Sequence, residues 1–204
     1  MKEFISFLSF SLLIICCIGC DKKNATIAPE APLSAGIAET KTYGSFNSQV
    51  EWGEHLVTIL DCNVCHTPKK MTDRGPALDM DRMLSGRPAE NPGIDINREE
   101  IESKGLTVTG DLTEWIGPWG ISYAGNLTPH KSGIGTWTQE QFFLAMREGK
   151  FKGLAASRNL LPPMPWESFA HMTDDELKAI FAYLKSIEPV ENIVPAATPP
   201  VSVK

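Results

Sequence analysis

The sequence predicts an all-α domain over residues 43–189, and three observations predict it. Three segments open on a hydroxyl residue followed three places later by Glu or Gln, which is a helix-starting pattern. Each continues with apolar residues at helical spacing. Only one short stretch, Leu106-Thr-Val-Thr109, reads as a strand.

The chain begins with Lys2 and an apolar run from Phe4 to Ile18. That run is short for a membrane span and has the layout of a signal peptide. Cys17-Ile18-Gly19-Cys20 resembles a bacterial lipoprotein signal, which implies cleavage after residue 19 and a lipid on Cys20. An ordinary cleaved signal or an uncleaved anchor are the alternatives. Residues 20–42 are rich in Ala, Pro, Thr and Lys and read as a flexible tether. Residues 190–204 contain several prolines and read as a loose tail.

Within the domain, Ser48-Gln-Val-Glu51 opens a first helix carrying Trp52, Leu56, Ile59 and Leu60, expected to run into Cys62. Gly53 marks a place where another helix can come close. Thr138-Gln-Glu-Gln141 opens a second helix, with Phe142, Ala145 and Met146 on one face and Gly149 at its end. Thr173-Asp-Asp-Glu176 opens a third, with Leu177, Ile180, Phe181, Leu184 and Ile187, stopping before Pro189. These stripes are core. The segment 84–119 is a long Gly-rich insertion without a further cysteine.

The first helix leads into Cys62-Asn63-Val64-Cys65-His66. CxxCH is the attachment signature for a c-type haem: two thiols bond to the two vinyl groups, and the adjacent imidazole reaches the iron. One such motif predicts one covalent haem c, with His66 as the proximal ligand. In an exported chain the pair could instead form a disulfide, but a disulfide gives no reason for His66. A zinc site would need a fourth ligand from His55, His130, His171 or a carboxylate, none with companion spacing. The net charge of −6 argues against a nucleic-acid partner.

The other axial ligand must project from a loop well downstream. Met164 sits between Pro163 and Pro165, whose fixed backbone angles stiffen such a loop. Met172, Met146, Met71, Met80 and Met83 are the domain's other thioethers, and His55, His130 and His171 its other imidazoles. The neighbourhood of Pro76 is expected to supply the carbonyl that takes the second imidazole proton of His66. Asn126, Trp137 and Arg158 are candidates for the haem propionates; their plainer roles are a turn residue, a core aromatic and a solvated cation.

This layout resembles class I cytochromes c over residues 43 to 189. The resemblance implies a first helix ending at the haem motif and crossing the last helix, with Gly53 and Tyr183-Leu184 at the crossing. A closer resemblance is to the cytochrome c domains of membrane-associated gluconate and alcohol dehydrogenases. It runs through Gly125-Asn126-Leu127-Thr128-Pro129, Gly133-Ile134-Gly135-Thr136-Trp137-Thr138 and Arg147-Glu148-Gly149. It continues through Leu161-Pro162-Pro163-Met164-Pro165-Trp166 and Met172-Thr173-Asp174-Asp175-Glu176. It implies Met164 as the sixth ligand. The family often has Asp in place of His130, and its subunits often carry three such domains where this chain has one.

A His/Met-ligated iron has no open site for substrate, so the expected function is one-electron, outer-sphere transfer rather than catalysis. Expected partners are redox proteins at an exposed haem edge: a membrane dehydrogenase, a quinol-linked complex or a terminal oxidase. A lipid on Cys20 would hold the carrier on the periplasmic side of the cell envelope and raise its encounter rate. Two rival functions are open. One is a haem enzyme with a labile sixth site acting on peroxide or a small oxide; the other is a haem-bearing sensor or docking subunit.

Overall fold

The computed structural model describes residues 43–201. The signal segment, Cys20 and the tether to residue 42 lie outside the described residues. The chain order is α1 (Gln49–Ile59), α2 (Cys62–His66), β1 (Lys69–Thr72), β2 (Gly75–Leu78), α3 (Arg98–Ser103), β3 (Val108–Thr109), β4 (Glu114–Gly117) and β5 (Gly120–Tyr123). There follow α4 (Gln139–Glu148), α5 (Trp166–Phe169) and α6 (Asp174–Ser186).

The core forms where α1 meets α6. α1 buries Gly53, Leu56 and Val57, and α6 buries Leu177, Ala179, Ile180, Tyr183 and Leu184. The crossing is possible because residue 53 has no side chain. A Cβ there would lie 2.0 Å from the Ala179 carbonyl oxygen and 2.8 Å from Tyr183 Cβ. α4 adds Phe142, Ala145 and Met146, with Phe142 stacked on Phe181 of α6 at 5.2 Å between ring centres. Gly149 ends α4 with φ +62°, a left-handed turn that glycine adopts without strain.

The expected helix starts are present, with one difference. Thr138 and Gln141, and Thr173 and Glu176, form reciprocal capping boxes. At α1 only half of the box forms. Ser48 Oγ accepts from the Glu51 amide at 3.1 Å, but the Glu51 carboxylate reaches one residue further back and takes the Asn47 amide at 2.8 Å. The Asn47 side-chain amide at 2.9 Å holds it there.

The all-α expectation is corrected to a predominantly helical fold with two small antiparallel sheets. β1 and β2 form a hairpin directly after the CxxCH motif, in the register Lys69↔Leu78 to Thr72↔Gly75. It is largely exposed on both faces, with Met71 79% exposed, so it lacks the apolar–polar alternation that marks a strand in sequence. β3, β4 and β5 form the second sheet inside and just after the 84–119 insertion. The anticipated strand at 106–109 shrinks to Val108–Thr109, and its partners are short and Gly-bounded.

The first helix does not run into Cys62. Asp61 takes a left-handed conformation, φ +56°, and separates α1 from α2. The haem motif is therefore a helical turn of its own, re-aimed by this break.

The insertion is organised around buried charge. Arg87, 4% exposed, reaches Glu114 at 2.6 Å, Asp111 at 3.3 Å and the Pro92 carbonyl at 2.6 Å. Glu102 is buried at the end of α3 between Arg98 at 2.7 Å and the Val201 amide at 2.6 Å. That second bond, and the Ile121–Thr198 bridge, run counter to the loose tail expected from residue 190. Residues 190–201 lie along the insertion through backbone and side-chain hydrogen bonds. The Thr198 oxygen takes the Ile121 amide at 2.9 Å and the Pro199 oxygen takes Arg98 at 2.8 Å.

Candidate functional site

Cys62 and Cys65 lie one helical turn apart on α2, both half-buried, both as free thiols. Burial pushes the Cys62 thiol up to about 11 and moves Cys65 in the same direction. Lys69 partly offsets the rise at Cys65. The Lys69 ammonium donates to the Val64 carbonyl, closing the end of the short helix. Among the described residues, no three His, Cys, Asp or Glu side chains come together as a metal-holding group.

The imidazole of His66 is fixed by one bond. Its Nδ1 lies 2.7 Å from the Gly125 carbonyl oxygen. A carbonyl has no proton to give, so Nδ1 carries the hydrogen and Nε2 keeps its lone pair. Burial lowers the His66 pKa, and the Gly125 contact opposes that only in part, so the ring is biased to the neutral form that can ligate a metal. The expected carbonyl near Pro76 is not the partner. Gly75 and Pro76 belong to the β1–β2 hairpin, whose Gly75 oxygen accepts from the Thr72 hydroxyl at 2.7 Å. The partner lies 59 residues from His66 along the chain. A signal for it was visible: Gly125 heads the Gly125–Pro129 run in the resemblance.

The wall behind α2 is built from residues 84–87. The buried Thr67 hydroxyl accepts from the Leu84 amide at 2.9 Å and donates to Asn63 at 2.8 Å. The Gly86 amide donates to the His66 carbonyl at 2.7 Å. Arg87 to Ala124 and Leu127 to Leu84, both at 2.9 Å, lay residues 124–127 beside this wall. Gly86 has φ +79°, and a Cβ on it would lie 2.6 Å from the Gly125 carbonyl oxygen. Only glycine lets the two segments come this close.

Met164 is half-buried and packs against the apolar cluster that Cys62 and Trp137 also touch. Its loop is held from several sides. The Leu160 amide donates to the Gly149 carbonyl at 2.6 Å, and the Ser122 hydroxyl of β5 donates to the Pro162 carbonyl at 2.5 Å. Trp119 Nε1 donates to that same hydroxyl at 3.0 Å. The Trp166 indole lies against Gly149, where a Cβ would be 2.5 Å from the ring. A hollow of about 350 Å³ is lined by Leu160, Pro162, Met164 and Trp166 among others. Leu127, Met83 and Phe169 also pack on the core while only partly covered. A flat apolar macrocycle would cover such half-exposed surface, and two unpaired thiols beside a neutral imidazole suit a haem.

The other named candidates fall in different places. Met146 is buried in the core, and Met172 is half-buried against it. Met71 and Met80 are exposed at 79% and 56%. His55 packs at a tilt against the Phe46 ring, and His130 Nδ1 is 2.7 Å from the Ser132 hydroxyl. Asn126 is buried, with its amide hydrogens directed to the Val190 and Asn192 carbonyls at 2.9 and 3.3 Å and to Ser132 at 3.3 Å. Its oxygen takes the Thr128 amide at 2.9 Å. Those bonds occupy the groups that a propionate would use. Arg158 lies 4.0 Å over the Phe151 ring and donates to the Asn159 carbonyl at 2.8 Å. Trp137 is half-buried against the apolar cluster.

No family model matches the chain. It is 29% identical over 174 residues to a subunit of nicotinate dehydrogenase from Pseudomonas putida, covering 85% of this chain and 11% of that protein. It is 29% identical over 159 residues to the cytochrome c subunit of alcohol dehydrogenase (quinone) of Gluconobacter oxydans, covering 76% and 25%. It is 38% identical over 76 residues to the fructose dehydrogenase cytochrome subunit of Gluconobacter japonicus, covering 36% and 15%. The chain thus spans a quarter or less of the length of each of these relatives. Such matches establish distant homology to cytochrome c subunits of dehydrogenases.

Proposed function

We propose that the chain is a c-type cytochrome that carries single electrons between redox partners of the cell envelope. The observation that carries this reading is His66. It directly follows a CxxC turn with free thiols, and its Nδ1 proton is committed to the Gly125 carbonyl, so that only Nε2 is free to ligate. Distant homology to dehydrogenase cytochrome subunits supports it.

When bound, haem c supplies reversible one-electron chemistry between Fe(III) and Fe(II). Cys62 and Cys65 would hold it by thioether bonds, His66 would ligate one face, and Met164 the other. The Gly125 carbonyl keeps the His66 ring in one tautomer and one orientation. The pinned Met164 loop would keep a weak thioether donor in reach without a large ordering cost at each turnover. With His66 held by Gly125 and the Met164 loop already anchored, the chain itself would rearrange little on electron transfer. His130 and His171 are the imidazoles that a peroxide-type reaction would call on, and of these His130 is engaged with Ser132.

The donor or acceptor is proposed to be a dehydrogenase or a quinol-linked complex, by analogy with the relatives, meeting the carrier through a small, transient contact. No helix among the described residues is long and apolar enough to cross a membrane. Attachment is assigned to a lipid on Cys20, with the domain on the periplasmic side.

Haem stain on a denaturing gel, with intact mass, tests the central point. One covalent haem per chain is expected, lost or weakened in Cys62→Ala and Cys65→Ala; a mass without an added haem ends the reading. For the anchor, Cys20→Ser is expected to leave the membrane fraction or to block processing. A processed Cys20→Ser protein still bound to membrane would rule the lipid out.

A further inference from the structure

The C-terminal segment makes contacts that neither haem attachment nor axial ligation requires. Asn192 is only 4% exposed, and its side chain is fully used. Its amide donates to the carbonyls of Ser85 at 2.7 Å and Arg87 at 2.8 Å, and its oxygen accepts from the Ala89 amide at 3.1 Å. The first two bonds bracket Gly86. Its main chain grips the facing segment: the Asn192 carbonyl takes Asn126 Nδ2 at 3.3 Å, and its amide donates to Ser132 at 3.0 Å. Two residues earlier, the Val190 carbonyl takes Asn126 at 2.9 Å, and the Val190 amide donates to Thr128 at 3.1 Å.

The two gripped segments are the ones that orient His66. Gly86 holds the His66 carbonyl through its amide, and its bare Cα packs against Gly125. Gly125 directly precedes Asn126 and holds the imidazole at 2.7 Å. We propose, resting on the haem reading above, that Asn192 is a positioning residue for the proximal histidine. It clamps residues 85–89 to residues 124–128, so that the Gly125 carbonyl stays on the His66 Nδ1 proton. The chemistry follows from that bond. Donation from Nδ1 makes the ring a stronger donor and favours Fe(III). A slack clamp lengthens the bond and favours Fe(II).

The test uses the full-length haem-loaded chain and reads the reduction potential, the exchange rate of the His66 Nδ1 proton in the reduced state, and the thermal midpoint. Asn192→Ala is expected to raise the potential and speed that exchange. Asn192→Ser keeps one hydroxyl donor and is expected to shift both in the same direction by less, so it carries the test if the alanine variant does not accumulate. Ile193→Ala, at an exposed neighbour, is expected to change neither. Removal of residues 196–204 cuts the Thr198 and Val201 contacts but spares Asn192. It is expected to lower the thermal midpoint with the potential in place. If Asn192→Ala or Asn192→Ser lowers the midpoint while the potential and the proton stay as in wild type, Asn192 serves stability alone and the proposal is overturned. A wild-type chain without covalent haem fails at the haem stain and overturns both readings together, which separates that failure from the failure of the clamp.

Discussion

Replacing Met164 with alanine is expected to convert a closed, low-spin haem into one that binds carbon monoxide, and to remove the near-infrared sulfur-to-iron band of the oxidised protein. The reduction potential should fall, because loss of a thioether donor removes a preference for Fe(II). The expectation stands on the loop as well as the residue. Ser122 and Gly149 hold it at Pro162 and Leu160, and Trp166 closes its end against Gly149. Met172→Ala should leave the spectrum nearly intact, since that side chain packs against the core beside the α6 cap. A wild-type protein that is high-spin and binds carbon monoxide freely at neutral pH would sink the carrier reading in favour of the enzyme. A low-spin protein without the band would point instead to His130 or His171.

The largest expected effect on stability is at Gly53. An alanine Cβ would lie 2.0 Å from the Ala179 carbonyl oxygen and 2.6 Å from its carbon. These are backbone atoms of the middle of α6 and cannot turn aside as a side chain end could. Overpacking of this kind costs roughly 1–3 kcal/mol. Alanine gains back about 1 kcal/mol of helix propensity over glycine. The net loss expected for Gly53→Ala is therefore up to about 2 kcal/mol. Gly53→Leu is expected to prevent α1 from docking on α6 at all. Denaturant unfolding of the haem-loaded protein measures the first; failure of the second to accumulate covalent haem is its readout, since α1 holds the Cys62–His66 turn to the core across the short break at Asp61. An alanine variant clearly more stable than wild type, with the propensity gain and no packing cost, would mean that the helices cross elsewhere.

The helices were legible because their signals are local. A hydroxyl residue three places before a carboxylate or amide, and apolar residues every three or four places, act within a turn or two of chain. That was enough for α4 and α6, and for Gly53 as the point of approach. The β1–β2 hairpin was hidden because exposed strands need no alternation. The break at Asp61 was hidden because aspartate in a left-handed turn leaves no pattern around it.

By itself the sequence determined the Cys62–His66 CxxCH motif, the three long helices and the set of thioethers from which a second ligand could come. These depend on residue type and short spacing. Only the tertiary structure decided which carbonyl holds His66, what anchors the Met164 loop, and that residues 190–201 pack rather than hang free. His66 meets Gly125 across 59 residues, Ser122 meets Pro162 across 40, and Asn192 meets Ser85 across 107. A backbone carbonyl carries no residue identity, so its choice of partner is written in no side-chain pattern. It is set by which segments the helix crossing and the two glycines, Gly53 and Gly86, allow to lie together.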